Sequence, residues 1–271
     1  MKQRLSWLAA GIVMGGMVFG FTGCKPPTPA QTSPETAQTN ATPAPAQPAA
    51  PLDPATLGSV SGTVHFAGKA PERIRIDMSQ DPVCSMMGGD NFAEQYVVHD
   101  GKLANVYLYI KSGPPAAMSA PATSVAPVVL DQIGCKYVPH VIAIMRGGSI
   151  EFRNSDGTMH NIHTIPAAGT NKEIDISEGP KGAPEVKSFP QPEIMMPVRC
   201  NNHPWMNAFI NVSATPFFAV TDGNGHFEIK GLPAGTYILA AVHEKMGEQT
   251  MTVTVKPHAT EAANFTFSIK K

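Results

Sequence analysis

The body of the chain, from Gly58 onward, is a succession of short segments in which apolar and polar residues alternate. Gly, Pro, Asn and Asp punctuate these segments, and none of them shows a sustained period of 3.6 residues. Alternation with a period of two is typical of β-strands that are buried on one face. The segments are SVSGTVHF, VYLYI, HVIAI, SIEFRN, AFINV, FFAVT, HFEI, TYILAAV, MTVTV and NFTFSI. We therefore predict an all-β fold built of β-sandwiches.

Composition excludes several classes of protein. The formal net charge of −1 gives no electrostatic reason to bind nucleic acid, so we expect no such partner. The 26 prolines exclude a coiled coil, because a proline inside a helix breaks it. Four cysteines in 271 residues are too few for a miniature domain built on disulfides.

Residues 1–24 have the pattern of an export signal. Lys2 and Arg4 precede an uncharged apolar run, LAAGIVMGGMVFGF, that is shorter than the about 20 residues of a membrane span. The run ends in Phe-Thr-Gly-Cys24, which resembles the lipoprotein box of bacteria, in which the cysteine is lipidated. The resemblance implies an exported lipoprotein of the cell envelope, on the periplasmic side of the outer membrane or at the cell surface, held to the membrane by its lipid. The alternative is a plain signal peptide followed by a chance cysteine.

Residues 25–57 are rich in Pro, Ala, Thr and Gln and carry little charge. Such a segment cannot bury enough apolar surface to offset the entropy lost on ordering. We predict a disordered linker between the lipid anchor and the folded body.

The strongest chemical signal is a C-x2-H-x2-M cluster formed by Cys200, His203 and Met206. Thiolate, imidazole and thioether are the soft ligands that copper takes in blue electron-transfer sites, which also need a second histidine. That histidine must come from another strand, because one short loop cannot surround the ion. His160 and His163 are the candidates. Three positions apart on a strand, they point to opposite faces, so both do not reach one metal.

These segments together resemble the cupredoxins of the plastocyanin and amicyanin group, over residues 125–214. Amicyanin has the same loop spacing, with proline after the ligand histidine and an aromatic before the methionine, and a His-Asn-x-His sequence at its first ligand. The resemblance implies one type 1 copper with His160, Cys200 and His203 as equatorial ligands and Met206 as the axial ligand.

The same resemblance implies two neighbours of the copper site. Asn161 matches the residue that ties the two ligand loops together by hydrogen bonds. His203 is expected to reach the surface through an apolar patch that includes Pro204 and Trp205.

With Cys24 assigned to the lipid and Cys200 to the metal, Cys84 and Cys135 are the remaining pair. In an oxidising compartment a disulfide between them is expected, and two buried thiols are the alternative.

The C-terminal segment has a second pattern. Thr-Asp-x-x-Gly-x-Phe and Leu-Pro-x-Gly-x-Tyr, within residues 221–237, resemble the carboxypeptidase regulatory-like, or transthyretin-like, β-sandwich. The sequence Asp222-Gly-Asn-Gly predicts a hairpin turn. A calcium loop is the alternative there, although the Glu that an EF-hand-type loop needs is missing.

The strands that usually begin such a sandwich resemble segments far upstream, at residues 60–68 and 103–110. We therefore predict that residues 58–113 and 216–271 form one sandwich, into which a cupredoxin domain of residues 114–215 is inserted. Two consecutive β domains are the alternative.

The function expected from these features is that of a monomeric, non-enzymatic carrier of single electrons, with an unidentified redox partner protein. The alternative is a surface-anchored binding module with a structural or copper-storage site. A copper enzyme such as a nitrite reductase would need a second copper with further histidines, and the remaining histidines are not grouped for one.

Overall fold

The computed structural model describes residues 52–87, 91–121 and 126–269. The expected export signal of residues 1–24, the lipidation site Cys24 and most of the expected linker lie outside the described residues. Neither helix in the described part of the chain is long and apolar enough to cross a bilayer.

The predicted all-β fold is confirmed, since strands dominate the described residues and the two helices, α1 (Pro82–Met86) and α2 (Pro115–Met118), are one turn each. The strands in chain order are β1 (Leu57–Phe66), β2 (Val98–His99), β3 (Lys102–Leu103), β4 (Tyr107–Ser112), β5 (Val128–Gln132), β6 (Tyr137–Val138), β7 (Val141–Met145), β8 (Ser149–Asn154), β9 (His160–Thr164), β10 (Asp175–Glu178), β11 (Glu185–Ser188), β12 (Glu193–Arg199), β13 (Asn207–Ser213), β14 (Phe218–Val220), β15 (His226–Pro233), β16 (Gly235–His243), β17 (Gly247–Val255), β18 (Thr260–Ala262) and β19 (Phe265–Phe267).

Strands from the two ends of the described chain form one sandwich, which we call the terminal sandwich. One of its sheets has the order β15-β1-β3-β2, with β18 and β19 also paired to β1, and the other has the order β14-β4-β16-β17. Inward-facing side chains of both sheets, among them Val64, Leu108 and Leu239, are fully buried in a shared core. Burial of this apolar surface is the main contribution to the stability of such a sandwich.

Strands β5 to β13 form a second sandwich, which we call the central sandwich. Its sheets have the orders β10-β9-β12-β13-β7 and β11-β8-β5-β6. Burial alternates along β8 as the apolar and polar residues of its sequence do. Ile150 and Phe152 are fully buried in the core, while Arg153 is exposed. The same period of two applies in β9, and it decides which histidine of that strand faces the interior.

Strand β1 connects the beginning of the described chain to its end. It pairs antiparallel with β15 over Leu57↔Pro233 to Thr63↔His226, and parallel with β18 and β19. Residues 57–112 and 218–267 therefore share one sandwich, and β5 to β13 lie between them in sequence. The domain boundaries at 113/114 and 215/216 stay predictions.

A buried hydrogen bond joins the two sandwiches. His140, directly before β7, places Nε2 2.7 Å from Oε1 of Glu244 in the β16–β17 turn, and both side chains are 3% exposed. The other ring nitrogen of His140 lies 3.1 Å from the carbonyl oxygen of Asn207. His140 thus links this turn of the terminal sandwich to the residue that follows Met206.

The segment Asp222–Gly225 forms the predicted turn. Oδ1 of Asp222 accepts hydrogen bonds from the backbone N–H of Asn224 at 2.8 Å and of His226 at 3.0 Å. This oxygen closes the turn, as is common for aspartate at such positions.

Gly62 lies on β1 at the point where parallel pairing passes from β18 to β19. A Cβ at this position would lie 1.7 Å from the carbonyl oxygen of Ala263, so an added methyl group forces the strands apart. We expect Gly62→Ala to lower the free energy of unfolding by about 1–3 kcal/mol, measured by urea denaturation. Gly223→Ala is the matched control, because a Cβ there has no neighbour within 4 Å. Equal stability of the two variants would contradict this description of β1.

Candidate metal centre

The loop between β12 and β13 closes a hairpin. The two strands are antiparallel neighbours whose last paired residues are Arg199 and Asn207, so residues 200–206 form the connection. Within it, the backbone N–H of Met206 donates to the carbonyl oxygen of His203 at 2.9 Å. The tight loop keeps Cys200, His203 and Met206 at the same end of the sheet.

His160 reaches that end from the neighbouring strand. It is the first residue of β9, which pairs with β12 on the side opposite β13. His160, Ile162 and Thr164 are all fully buried, as expected for alternate residues that share the inner face of a strand.

Three donor atoms converge at this end of the central sandwich. Nδ1 of His160 lies 2.9 Å from Nδ1 of His203, which lies 3.6 Å from Sγ of Cys200. The three side chains are buried, and their donor atoms all lie within 4.8 Å of one another. A first-row transition metal ion lies about 2.0 Å from imidazole nitrogen and about 2.3 Å from thiolate sulfur. One ion can therefore contact all three atoms.

Met206 lies in the same apolar environment. Its side chain is 1% exposed and packs in the core cluster that contains Cys200. This end of the sandwich thus holds two imidazoles and one cysteine sulfur that converge, with a buried methionine in the same core cluster.

His163 faces away from this cluster. Its Nδ1 lies 2.9 Å from Oδ1 of Asn201 and its Nε2 3.1 Å from Oε1 of Glu173, near the surface. These hydrogen bonds and its 28% exposure separate it from the buried face on which His160 lies.

The outer nitrogen of His160 is held by a buried carboxylate. Nε2 lies 2.9 Å from Oδ2 of Asp156, which is four residues earlier and 2% exposed. Burial lowers the pKa of His160, but the hydrogen bond to Asp156 and the contact with Cys200 outweigh it and raise the pKa to about 9. The arrangement fixes the ring orientation and leaves Nδ1 directed at the other donors.

His203 is held in the same manner, and this corrects the expectation that it reaches the surface. It is 4% exposed, and its Nε2 lies 3.0 Å from Oδ2 of Asp81. Asp81 immediately precedes α1, which covers the ring on the side expected to be open. Trp205 packs against the same ring with centroids 5.0 Å apart.

Asn161 links the two ligand segments through its backbone. Its backbone N–H donates to Sγ of Cys200 at 3.3 Å, which links the two ligand segments. Its side-chain amide donates instead to β10, to Oγ of Ser177 at 3.1 Å and to the carbonyl oxygen of Ile176 at 3.3 Å.

Cys84 and Cys135 are joined by a disulfide in the structure. Cys84 lies in α1, and Cys135 lies between β5 and β6 of the central sandwich. The disulfide adjoins the cluster of donor atoms, because Sγ of Cys84 is 3.9 Å from Nε2 of His203.

Hydrogen bonds set the ionisation of Cys200. Burial raises the pKa of this thiol, but the hydrogen bonds from His160, from the N–H groups of Asn161 and Asn202 and from His203 outweigh burial and lower the pKa to about 6. At neutral pH the sulfur is therefore a thiolate, the form that binds metal.

Sequence reasoning missed Asp81 and Asp156. Asp156 carries a local signal, since it lies in the Asn-Ser-Asp-Gly turn four residues before His160. Asp81 is 122 residues from His203, and its Asp-Pro sequence predicts only a helix start. Nothing in the sequence places Asp81 beside the loop of residues 200–206.

Comparison with known proteins adds a family match at the C-terminal end. The carboxypeptidase regulatory-like domain matches residues 199–268. This supports the resemblance described for that end of the chain, and the matched range begins earlier than expected, so that it includes β13 of the central sandwich. Among curated proteins, none matches the chain.

Solved structures show a weak likeness over about a third of the chain. A copper-containing nitrite reductase from Thermus scotoductus SA-01 is 25% identical, covers 35% of this chain and 24% of its own, and has a TM-score of 0.30. A purple cupredoxin from Nitrosopumilus maritimus is 21% identical over 32% of this chain and 99% of its own, with a TM-score of 0.27. A reduced Cu(I) amicyanin variant is 20% identical over 39% of this chain and 98% of its own, with a TM-score of 0.29. This chain thus spans about a quarter of the length of the Thermus enzyme.

The low pKa of Cys200 predicts its reactivity in the metal-free protein. Thiolate is the reactive form, so the rate of alkylation rises with pH and reaches its midpoint near the thiol pKa, at about pH 6. His160→Asn removes a group that stabilises the thiolate, and we expect it to move the midpoint up towards the ordinary value of about 8.5. The measurement is the rate of iodoacetamide labelling, followed by mass spectrometry of the peptide that carries Cys200.

His163→Asn is the matched control, because it makes the same change on the outer face of the same strand. Its midpoint should equal that of the unmodified chain. A midpoint above pH 8 in the unmodified chain would show that the hydrogen bonds to Cys200 are not made in solution.

Proposed function

We propose that the central sandwich binds one copper ion and that the protein carries single electrons in the cell envelope. The observation that carries the proposal is the convergence of Nδ1 of His160, Sγ of Cys200 and Nδ1 of His203 in a buried site beside Met206. Two imidazoles and a thiolate with a thioether nearby are the donor set of blue copper sites.

The donor set favours copper over the common alternatives. Thioether sulfur is a soft ligand suited to copper, whereas protein zinc sites take cysteine, histidine and carboxylate. Calcium and magnesium take oxygen ligands, and no oxygen atom belongs to the trio of donors. Bound copper would supply one-electron exchange between its two oxidation states.

The chain supports that chemistry by holding its donors still. Cys200 and His203 are fixed by a tight hairpin loop and His160 by a paired strand. Asp156 and Asp81 hold the outer nitrogens of the two rings. Donors that keep their positions in both oxidation states lower the reorganisation that accompanies electron transfer.

We propose a carrier and not an enzyme. Every cluster of His, Cys, Asp and Glu that could hold a metal within the described residues includes His160 or His203, so these clusters adjoin one another at one centre. Nitrite reduction at copper needs a second ion with an open position.

The proposal extends to the setting of the protein. A net charge of −1 agrees with a function that does not involve nucleic acid. The partner is a redox protein that makes a small and transient contact, as redox pairs do. We also propose that the protein is a monomer of the cell envelope, attached to the membrane through a lipid on Cys24.

A second candidate function is a binding module that stores copper or uses it as a structural ion. The observation in its favour is the burial of His203 beneath Asp81 and α1, because a carrier normally exposes one ligand edge to its partner. The two candidates share the copper site and differ in whether the bound ion exchanges electrons reversibly.

The test is titration of the metal-free full chain with Cu(II). We expect an intense visible thiolate-to-copper absorption band that saturates at one equivalent, because Cys200 is a buried thiolate beside two imidazoles. Cys200→Ser removes the sulfur and should abolish the band, while His163→Gln, on the outer face of β9, should retain it.

Electrochemistry then separates the two candidates. A reversible one-electron wave supports the carrier, whereas tightly bound copper without such a wave supports storage. A chain that binds Zn(II) but develops no visible band with Cu(II) contradicts both copper functions.

A further inference from the structure

The outer nitrogen of His203 faces a carboxylate that the chain brings from far away. Oδ2 of Asp81 lies 3.0 Å from Nε2 of His203, although 122 residues separate them. The side chain of Asp81 is 17% exposed and that of His203 is 5% exposed, so the contact is largely shielded from water.

The two oxygens of Asp81 have separate roles. Oδ1 accepts hydrogen bonds from the backbone N–H groups of Val83 at 2.7 Å and of Cys84 at 3.1 Å. These hydrogen bonds cap α1. Oδ2 accepts from Oγ1 of Thr158 at 3.0 Å and faces His203. Rotation of the carboxylate would break the cap, so its orientation towards the histidine is fixed.

The disulfide of Cys84 and Cys135 connects this carboxylate to the one behind His160. The backbone N–H of Cys84 bonds Asp81, and the backbone N–H of Cys135 donates to Oδ2 of Asp156 at 2.8 Å. One covalent link therefore lies between the two aspartates that hold the two histidines.

Trp205 completes the attachment. Its indole N–H donates to the carbonyl oxygen of Cys135 at 3.1 Å, and its ring packs on His203. The histidine ring is thereby held between Trp205, the disulfide and Asp81, with only Nδ1 directed at Cys200 and His160.

We propose that Asp81 is a positioning residue for His203 and that the Cys84–Cys135 disulfide holds Asp81 in place. The inference rests on the proposed copper site. With copper bound, Asp81 accepts the hydrogen bond from Nε2–H of His203 and so leaves Nδ1 as the ring atom that faces the metal. Its negative charge makes the imidazole a stronger donor and favours the more highly charged Cu(II).

The decisive variant is Asp81→Asn in the full chain. Asparagine caps a helix as well as aspartate does, so α1 and the disulfide are retained. The cap requires the asparagine oxygen at the position of Oδ1, so the amide N–H₂ takes the position of Oδ2. Two donors then face each other, and the hydrogen bond that orients the ring of His203 is lost. We expect Cu(II) affinity to fall 10–100-fold, measured by competition with a chelator.

A second measurement uses the metal-free chain. Nuclear magnetic resonance of ¹⁵N-labelled histidine should show a slowly exchanging Nε2–H on His203 in the unmodified chain. The same proton should exchange faster in Asp81→Asn. A general loss of packing would affect all buried histidines, whereas this change should be confined to His203.

Glu173→Gln is the matched control. It makes the same carboxylate-to-amide change behind His163, whose Nε2 lies 3.1 Å from Oε1 of Glu173. Because His163 faces away from the donors, copper affinity and the exchange of the His203 proton should not change.

Two further variants test the proposal if Asp81→Asn does not fold. Thr158→Val leaves the cap and disulfide intact and removes only the hydroxyl that orients Oδ2, so a smaller loss of affinity is expected. Cys84→Ser with Cys135→Ser should weaken Cu(II) binding more than Thr158→Val does.

The outcomes separate this proposal from the one on which it rests. An unmodified chain that binds no copper overturns the proposed function. A chain that binds copper, with Asp81→Asn and Thr158→Val as tight as Glu173→Gln, overturns the role of Asp81 and leaves the copper site standing. Unchanged affinity in the double serine variant overturns the role of the disulfide.

Discussion

The structure depends on three atoms with lone pairs that meet in a place closed to water. Nδ1 of His160, Nδ1 of His203 and Sγ of Cys200 point at one another at the end of the central sandwich. In the metal-free chain, hydrogen bonds from the two imidazoles to the Cys200 thiolate offset the cost of burying these polar atoms away from water. A hairpin loop, a paired strand and two carboxylates keep the three atoms from moving apart.

The cover over this cluster comes from the other sandwich. The segment between β1 and β2 leaves the terminal sandwich and places Met78 and Cys84 against Cys135 and Trp205 of the central sandwich. His140 and Glu244 add a second junction, close to the loop of residues 200–206. The two sandwiches are therefore parts of one site, and the terminal sandwich contributes the residues that close it.

The alternation of apolar residues was enough to predict an all-β fold, because strands buried on one face leave a period of two in the sequence. Spacing alone brought Cys200, His203 and Met206 to one loop, and the odd offset placed His160 and His163 on opposite faces of a strand. The choice of His160 came from the resemblance to cupredoxins. These features were predictable because each depends on residues that are close together in the sequence.

The cover of the site was not predictable in the same way. Asp81 acts through a contact made 122 residues away, and no periodicity or turn signal encodes such a distance. The expectation of an exposed His203 failed for that reason, since the loop around it matches an open site and the closing segment lies elsewhere. Contacts between distant segments follow from packing and from the disulfide.

The pairing of β1 also makes the terminal sandwich depend on the last strands of the described chain. Its partners β15, β18 and β19 lie at the far end of the chain, so the terminal sandwich cannot close until residues up to Phe267 have been made. Strands β5 to β13 pair only with one another, and contacts of long sequence separation form slowly. The strands of the central sandwich can therefore pair without the last strands, whereas β1 and the segment that follows it, which covers the donor cluster, depend on them.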